Sequence, residues 1–249
     1  MVDLGFWRLN PGHWQKCDNI SIDCAIMETA KNLEAISLKG NWSDLGDWNS
    51  VWEETAEKVN GVGASKNTHA IDCQNVLIRS ENATQEVVGL GLKDTIVIAT
   101  PDAVLVANKK RSQDVKLIVD KLKQEEIPQA EKFPKVHKPW GWYESLSTSN
   151  NCHVKRIHVN PRAALSLQSH EFRSEHWVVV EGRAKVRVDK KTRILSQGES
   201  IYVPVGAIHR LENTENFPMT MIEVQTGSYF GEDDIIRYED LYSRKTNDN

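Results

Sequence analysis

One segment in the last quarter of the chain spaces a histidine behind turn-forming residues. In GESIYVPVGAIHRLEN the pattern is G-x5-P-x-G-x2-H-x3-N, and five residues at fixed intervals rarely arise by chance. Proline and glycine favour a turn, which delivers the histidine onto the following strand, facing the interior of a barrel. The spacing therefore predicts an imidazole aimed into a barrel. Its five residues are Gly198, Pro204, Gly206, His209 and Asn213.

A second polar segment, LSLQSHEFRSEHWVVVEG, lies upstream and supplies partner ligands. Gln168 and His170 stand two residues apart and so share one face of a strand. Glu175 and Trp177 share a face of the next strand. With His209 the set offers two imidazoles, one carboxylate and one amide oxygen. These donors suit Zn²⁺ with an open position for substrate or water, and Mg²⁺, Mn²⁺ and Co²⁺ are alternatives. The alternative is a polar cluster whose hydrogen bonds are satisfied within a barrel that has lost its metal.

Closely spaced strands must position these side chains. Strand-like runs recur from about residue 136 to 232, with Gly, Pro and Asn at the turns and no intervening helix. This pattern predicts an antiparallel barrel or jelly roll. Lys155 and Arg156 alternate on one of its strands, so only one of them faces the interior. The tail, GEDDIIRYEDLYSR, predicts a helical extension.

Two other zones precede the barrel. Between residues 61 and 108 short β-branched runs recur roughly every 8–12 residues, which indicates rungs of a short β-solenoid. Apolar spacing predicts a helix from Val115 to Leu122, with Ser112 as its N-cap and Pro128 preventing a long continuation. Residues 1–60 are aromatic and mixed, with patches of helical spacing.

Composition excludes several classes of protein. The 249 residues are 39% apolar and 27% charged, with a net charge of −4, which is typical of a soluble globular chain of one large or two small domains. The excess of acidic residues argues against a basic surface that would bind nucleic acid. No apolar run approaches the ~18 residues of a membrane span. No signal peptide is legible and the four cysteines show no paired spacing. We therefore expect a cytoplasmic protein with reduced thiols.

The two polar segments are the signature motifs of the cupin superfamily, and the resemblance extends further. Six segments resemble the isomerase domain of type II phosphomannose isomerases. These are bacterial bifunctional enzymes that also carry mannose-1-phosphate guanylyltransferase activity. The segments are KPWGWYESL, VKRIHV, LSLQSH, RSEHWVVVEG, VPVGAIHRLEN and IEVQTGSYFGEDDIIRYEDLYSR. The likeness implies a cupin barrel, a double-stranded β-helix or jelly roll. Phe172 departs from the family, which usually has a second histidine there. Superfamily members with oxygen chemistry would lose a ligand at Phe172, whereas the set that includes Gln168 stays complete.

The resemblance implies metal-dependent interconversion of mannose 6-phosphate and fructose 6-phosphate for GDP-mannose and polysaccharide synthesis. A proton then moves between C1 and C2 through an enediol(ate), whose charge a divalent ion stabilises. Arg173 is the candidate catalytic residue because its fork binds phosphate or an enediolate bidentately; the alternative is an ion pair with Glu175 or Glu171. The sequence does not identify the base that carries the proton. The candidates are Glu223, Asp233 and His158.

Two N-terminal segments, SIDCAIME and WSDLGDW, resemble the last catalytic segments of the sugar-nucleotide transferase fold, and Thr95–Lys123 resembles its β-helical extension. The likeness implies Asp44 as a Mg²⁺ ligand, with Asp23 and Glu28 near the sugar. Thr29 stands where the family commonly has a lysine. Nothing resembles the G-x-G-x-R-L loop that cradles nucleotide phosphates, so we expect that the chain does not transfer GMP alone.

These likenesses predict a mainly β chain, in which a truncated α/β nucleotidyltransferase remnant and a short left-handed β-helix-like segment precede the cupin barrel. An incomplete N-terminal fold exposes surface that a full domain would bury, so we expect a homo-oligomer. The small-molecule partner is a hexose 6-phosphate. The alternatives are a non-catalytic sugar-binding or assembly module, and one half of a split guanylyltransferase whose nucleotide-binding half is a separate chain. The predicted parts are a transferase remnant (1–60), a β-helix-like segment plus helix (61–128), a linker (129–138) and the cupin isomerase domain (139–249).

Overall fold

The chain contains two compact units, residues 1–132 and 133–249, and each is described by itself. In the described residues no helix has the length and apolar character needed to cross a bilayer. A computed structural model describes residues 2–3, 6–7, 9–40, 42–56 and 59–242.

The first part of the N-terminal unit has short elements and many exposed apolar side chains. Its elements are β1 (Val2–Asp3), β2 (Phe6–Trp7), α1 (Pro11–Trp14), a π-helical turn (Asp23–Met27) and α2 (Trp48–Thr55). Asp47 caps α2 because its Oδ1 accepts the Ser50 N–H at 2.8 Å. Ile36 and Trp42 are 91% and 75% exposed, so this segment buries little of its own apolar surface.

Parallel strands then coil into the predicted β-solenoid. Its strands are β3 (Val62–Ala64), β4 (Thr68–Ile71), β5 (Val76–Ser80), β6 (Val87–Leu90), β7 (Thr95–Ala99) and β8 (Val104–Asn108). β3, β5 and β7 pair in parallel, as do β4 and β6, while β8 returns antiparallel to β7. Asn75 and Asp94 take positive φ at equivalent corners, where the Asn75 side chain donates to Asp94 Oδ1 at 3.2 Å. Val76, Ile78 and Val97 pack inside the coil.

The predicted helix after the solenoid is confirmed as α3 (Val115–Gln124). Its predicted N-cap, Ser112, is wrong, because a 3-10 turn over Lys109–Asp114 precedes the helix and Asp114 stands at the cap. The Ser112 hydroxyl instead donates to Asp47 Oδ2 at 2.8 Å. Pro128 begins a 3-10 turn, Pro128–Ala130, after α3 has ended.

The C-terminal unit is the predicted jelly roll. Its strands are β9 (Lys135–Lys138), β10 (Gly141–Ser149), β11 (Cys152–Val159), β12 (Leu167–Ser169), β13 (Arg173–Glu181), β14 (Arg183–Val188), β15 (Lys191–Ser196), β16 (Ser200–Val203), β17 (His209–Glu212), β18 (Met219–Gly227) and β19 (Ile236–Glu239). One antiparallel sheet has the order β16-β13-β18-β11-β10-β9 and the other β15-β14-β17-β12-β19. Inward residues of both sheets, among them Trp177, Met221, Val186 and Leu211, form one continuous core.

Two segments of this unit differ from expectation. Lys135–Lys138 fall in the predicted linker but form β9, paired with β10. The tail was expected to be helical, yet its described part holds only a 3-10 turn over Glu232–Asp234 and the strand β19, which pairs with β12, and its last two residues lie outside the described residues. The short strand β12 leaves backbone groups that need a partner along its edge, and β19 supplies them. The hydroxyls of Tyr238 and Ser169, 3.1 Å apart, add a side-chain bond to this pairing.

Candidate metal centre

Local chain geometry brings the two polar segments together. Gly198 and Gly206 take positive φ, which glycine adopts without strain, and the turn between β16 and β17 starts at Pro204. The Gly206 N–H donates to the His170 carbonyl at 2.8 Å, tying this turn to the end of β12. His209 is the first residue of β17 and faces inward, as its spacing predicts.

Three side chains form a buried cluster at this point of the barrel. His170, Glu175 and His209 are 2%, 2% and 1% exposed, and one ligand atom from each lies within 4.8 Å of the others. His170 Nε2 is 3.1 Å from Glu175 Oε1, and His209 Nε2 is 3.6 Å from Glu175 Oε2. Two imidazoles and a carboxylate at these separations could hold a metal ion.

Protonation in the cluster suits a cation. Burial raises the pKa of the Glu175 carboxyl, but the hydrogen bond from His170 and the charges of both imidazoles outweigh it, leaving the pKa well below its usual range. Burial lowers the pKa of His209, against the opposing charge of Glu175. The site therefore combines a carboxyl group that loses its proton readily with an imidazole whose pKa is also lowered, and metals bind both groups in their deprotonated forms.

The tautomer of His209 also fits a metal. Its Nδ1 lies 2.9 Å from the Ala207 carbonyl, which only accepts, so the proton is on Nδ1 and the Nε2 lone pair points at the cluster. Nε2 is buried without a hydrogen-bond partner. A buried, unpaired acceptor is costly, and a cation shared with Glu175 would satisfy it.

The fourth predicted ligand, Gln168, borders the same cluster with its amide nitrogen. Its Nε2 lies 3.5 Å from His170 Nε2, while its Oε1 accepts from the Ser166 hydroxyl at 2.8 Å. Half a turn of the amide about its last torsion would present the oxygen to a metal. The role of Gln168 as a ligand stays a prediction.

Arg173 has its guanidinium inside the protein, 2% exposed, and its contacts hold a neighbouring segment. Nη1 donates to the Gly231 carbonyl at 2.9 Å and lies 3.3 Å from Asp234 Oδ2. Nε lies 3.8 Å from Glu175 Oε1, so of the two predicted ion-pair partners Glu175 is the nearer candidate. Arg173 therefore links the cluster of His170, Glu175 and His209 to residues 231–234.

Sequence reasoning missed the hydrogen bonds behind Glu175. The Trp177 indole N–H is shared between Glu175 Oε2 at 3.0 Å and Glu223 Oε1 at 3.2 Å, and Gln225 Nε2 donates to Glu175 Oε1 at 2.9 Å. Burial and the Glu175 charge raise the pKa of Glu223 to about 8, against Lys155 and Arg173. The alternation of β18 places Glu223 and Gln225 on one inward face, which was the available signal.

Of the three candidate bases only Glu223 lines the cavity beside the cluster, which has a volume of about 60 Å³. Asp233 instead accepts from the Tyr229 hydroxyl at 2.7 Å, and His158 stacks on Trp142. The prediction that one of two alternating cations faces inward is confirmed, since Lys155 lines the cavity. The remaining lining residues are Lys138, Trp140, Tyr143, Ile157, Leu165, Ser166, Gln168, His170, Arg173, Glu175, Gln225, Glu232, Ile235 and Arg237.

Phe172, the departure from the family pattern, lies outside this lining. Its ring is half exposed and meets the Tyr229 ring edge-on, with centroids 6.4 Å apart. A histidine at this position would start from a half-exposed site outside the residues that line the cavity.

The carboxylates expected to serve a nucleotidyl-transfer site lie elsewhere. Asp23, Glu28 and Asp44 are exposed, and Asp44 Oδ1 accepts the Gly46 N–H at 3.1 Å in a turn. Among the described residues the only group of three or more His, Cys, Asp or Glu side chains near enough to share a metal is the His170 cluster. Asp23, Glu28 and Asp44 keep their assigned roles as predictions only.

Two facing antiparallel sheets around an inward His–Glu–His cluster define the C-terminal unit as a cupin. Comparison with known families agrees: residues 125–240 match the mannose-6-phosphate isomerase C-terminal family, and residues 66–122 match the mannose-phosphate isomerase/GMP-like β-helix domain. These parts of the chain therefore resemble the isomerase C-terminal and β-helix domains that the two family models describe.

The chain is also similar to individual proteins of known sequence or structure. A mannose-1-phosphate guanylyltransferase of Salmonella montevideo is 40% identical over 98% of this chain and 51% of its own length. The alginate biosynthesis protein AlgA of Pseudomonas aeruginosa is 40% identical over 95% of this chain and 49% of its own. The chain thus spans about half the length of the curated relatives it matches. Among solved structures, TT1209 from Thermus thermophilus aligns at 23% identity with a TM-score of 0.33, over 39% of this chain and 85% of that one.

Proposed function

We propose that the cupin unit interconverts mannose 6-phosphate and fructose 6-phosphate with a divalent metal, Zn²⁺ first among the candidates. The buried cluster of His170, Glu175 and His209 carries this proposal, because it opens on a cavity that also holds lysine and arginine side chains. The family match to mannose-6-phosphate isomerases supports the substrate class. Relatives named for alginate and xanthan biosynthesis support a place in polysaccharide synthesis.

His170, Glu175 and His209 would hold the metal, with Gln168 as a fourth donor once its amide oxygen turns inward. A divalent ion bound there supplies Lewis-acid stabilisation of the negative charge that develops on oxygen during enolisation. Trp177 and Gln225 hold Glu175 from behind, which fixes the direction in which its oxygens point.

Glu223 is the base that this proposal assigns to the proton transfer between C1 and C2. It faces the cavity, and its Oε2 lies 3.7 Å from Lys155 Nζ. Its raised pKa, about 8, gives it a proton affinity near neutral pH, which suits a group that accepts a proton and returns it. Lys155 stabilises the ionised form of Glu223 when the proton leaves.

Arg173 keeps its predicted role in binding the developing negative charge. Its guanidinium borders the same cavity, and Nε is buried without a hydrogen-bond partner. Because Nη1 is held by the Gly231 carbonyl, Arg173 acts on the reacting atoms only from the side nearest Glu175.

The proposal is tested by stripping the full chain with a chelator and assaying fructose 6-phosphate conversion to mannose 6-phosphate as metals are returned. We expect turnover to reappear with Zn²⁺, Co²⁺, Mn²⁺ or Mg²⁺ and to vanish in His209→Ala. His176→Ala is the matched control, because His176 follows Glu175 on β13 but is exposed and packs against Tyr202. Turnover by His209→Ala at the wild-type rate, or none from folded wild type with any metal, would contradict the isomerase proposal.

A second candidate is guanylyl transfer to mannose 1-phosphate together with another chain. The names of the relatives favour it, and so do the exposed apolar side chains near Ile36 and Trp42, which a partner would cover. GTP and mannose 1-phosphate are incubated with the chain alone and then with a cell extract. We expect no GDP-mannose from the chain alone, and product that depends on both components would support a split enzyme.

A further inference from the structure

A single carboxylate binds two cations at the edge of the cavity. Glu232 Oε1 lies 3.5 Å from Lys138 Nζ, and Glu232 Oε2 lies 3.3 Å from Arg237 Nη2. Each carboxylate oxygen thus has its own cation. Two oxygens of a phosphate monoester make the same pattern of contacts with a lysine and an arginine.

A third cation completes the group. The Lys155 charge also acts on Glu232, and both ammonium groups lie near the Tyr143 ring, whose centroid is 5.7 Å from Lys138 Nζ and 5.2 Å from Lys155 Nζ. Burial raises the pKa of Glu232, but the charges of the three cations outweigh it and lower the pKa below its ordinary value. Glu232 is therefore ionised, and its charge is set against a surplus of positive charge.

Exposure distinguishes the carboxylate from its cations. The Lys138, Lys155 and Arg237 side chains are 25%, 15% and 14% exposed, whereas that of Glu232 is 54% exposed. Glu232 belongs to one short turn, Glu232–Asp234, and approaches the cations from the solvent side. The cations are the more buried members of the group, so the carboxylate is the member placed to leave.

The place of Glu232 in the cavity points the same way. Glu232 lines the cavity that holds the His170 cluster, together with Lys138, Lys155 and Arg237. A phosphoryl group that pairs with these cations would replace Glu232 charge for charge.

We propose that Lys138, Lys155 and Arg237 form a phosphate-binding site which Glu232 occupies as an internal competitor until a phosphoryl group displaces it. The identity of the ligand as a hexose phosphate rests on the proposed isomerase function. The site itself needs only a phosphate monoester or free phosphate. In both cases Glu232 weakens binding in return for keeping buried cations paired when no ligand is present.

The test is calorimetric titration of inorganic phosphate into the full chain at constant ionic strength, with chelator present so that phosphate meets no metal. Glu232→Gln keeps the size of the side chain and removes its charge. We expect phosphate to bind about fivefold more tightly, the change that corresponds to giving up two partly exposed ion pairs. Glu232→Ser is expected to act in the same direction and serves if the glutamine variant misfolds.

Glu239→Gln is the matched control, because Glu239 is 64% exposed and lies 3.0 Å from Arg210, itself 12% exposed. If phosphate binds Glu239→Gln as tightly as it binds Glu232→Gln, the gain is a general effect of charge and the proposal is overturned. Unchanged or weaker phosphate binding in Glu232→Gln would also overturn it. Lys138→Gln is expected to weaken phosphate binding at least tenfold in either background, and full binding without Lys138 would also overturn it.

Two further titrations separate the sources of phosphate and the two proposals. Mannose 6-phosphate is expected to gain affinity in Glu232→Gln while mannose gains none, and tightening by free phosphate alone would identify a site for the inorganic ion. These titrations need no turnover. A chain that binds phosphate as expected but does not isomerise the sugar would overturn the isomerase proposal and leave this phosphate site standing. Isomerase turnover together with an unchanged phosphate affinity in Glu232→Gln would overturn the phosphate site and leave the isomerase proposal standing.

Discussion

Glu223→Gln should stabilise the chelator-treated protein at neutral pH, because it replaces a buried carboxyl that can ionise with an amide that cannot. Glu223 is 5% exposed, and its Oε1 accepts from the Trp177 indole N–H, a bond that the amide oxygen of glutamine keeps. Burial and the nearby Glu175 charge raise the pKa of Glu223 to about 8, from an ordinary value of 4.5. The protein therefore folds with a proton on Glu223 at pH 7.

The sign of the effect follows from proton linkage. Below pH 4.5 the carboxyl is protonated in both the folded and the unfolded chain, so it contributes its full stability there. Between pH 4.5 and about 8 the unfolded chain releases the proton and the folded chain keeps it. The free energy of unfolding then falls by about 1.4 kcal/mol per pH unit, which reaches about 3 kcal/mol at pH 7. Glutamine cannot ionise and escapes this loss.

The assay is urea unfolding of wild type and Glu223→Gln between pH 5 and 8.5, with chelator present. We expect the difference in unfolding free energy to grow with pH, from about 1 kcal/mol at pH 5 to about 3 kcal/mol at pH 7. Glu212→Gln is the control, because its partner Lys185 Nζ is 2.9 Å away in a partly exposed pair, and it should change stability by under about 1 kcal/mol. A pH-independent difference, or a variant less stable at pH 7, would refute the linkage.

Three other substitutions test the barrel and its cluster. His209→Ala should abolish the rise in melting temperature on adding Zn²⁺, which for wild type corresponds to about 2.7 kcal/mol at a metal concentration one hundred times Kd. Arg173→Lys should cost about 3 kcal/mol, because Gly231 and Asp234 lose a buried partner, and should speed protease cleavage in this segment. Asn213→Ala should cost about 3 kcal/mol in urea unfolding, because its buried amide donates to three backbone carbonyls.

Each of these outcomes has a contrary result. A Zn²⁺-dependent rise that survives in His209→Ala would remove His209 from the metal site. Unchanged cleavage in Arg173→Lys would show that other contacts hold the 231–234 segment, and a loss below about 0.5 kcal/mol in Asn213→Ala would show that water replaces its hydrogen bonds.

The barrel and the position of its cluster could be predicted because both depend on short-range pattern. Alternation along a strand puts His170 beside Gln168, and a turn at Pro204 fixes where His209 points. The structure brings His170, Glu175 and His209 together as their spacing indicates. The solenoid could be predicted in the same way, because β-branched runs and turn residues recur along its sequence.

The contacts of Glu175 and Arg173 could not be predicted, because they join strands that are distant in the chain. The Trp177 indole reaches Glu223 across 46 residues, and Arg173 reaches the Gly231 carbonyl across 58. The sequence offered two roles for Arg173, binding phosphate or an enediolate and pairing with Glu175 or Glu171, but not its contacts with Gly231 and Asp234. The same limit explains the tail, where Ile236–Glu239 become a strand only because β12 lies beside them.

The reversed direction of β8 has a consequence for how the solenoid meets other molecules. A stack of parallel rungs ends in a strand whose outer backbone N–H and C=O groups are unpaired. Such an edge can pair with a parallel strand of a neighbouring molecule, and the addition can repeat without limit. β8 runs against β7, so the last edge no longer presents the register that a parallel rung would need. β8 therefore closes one edge of this sheet to the addition of identical parallel rungs, even though Val104 and Val106 are 61% and 67% exposed on that strand.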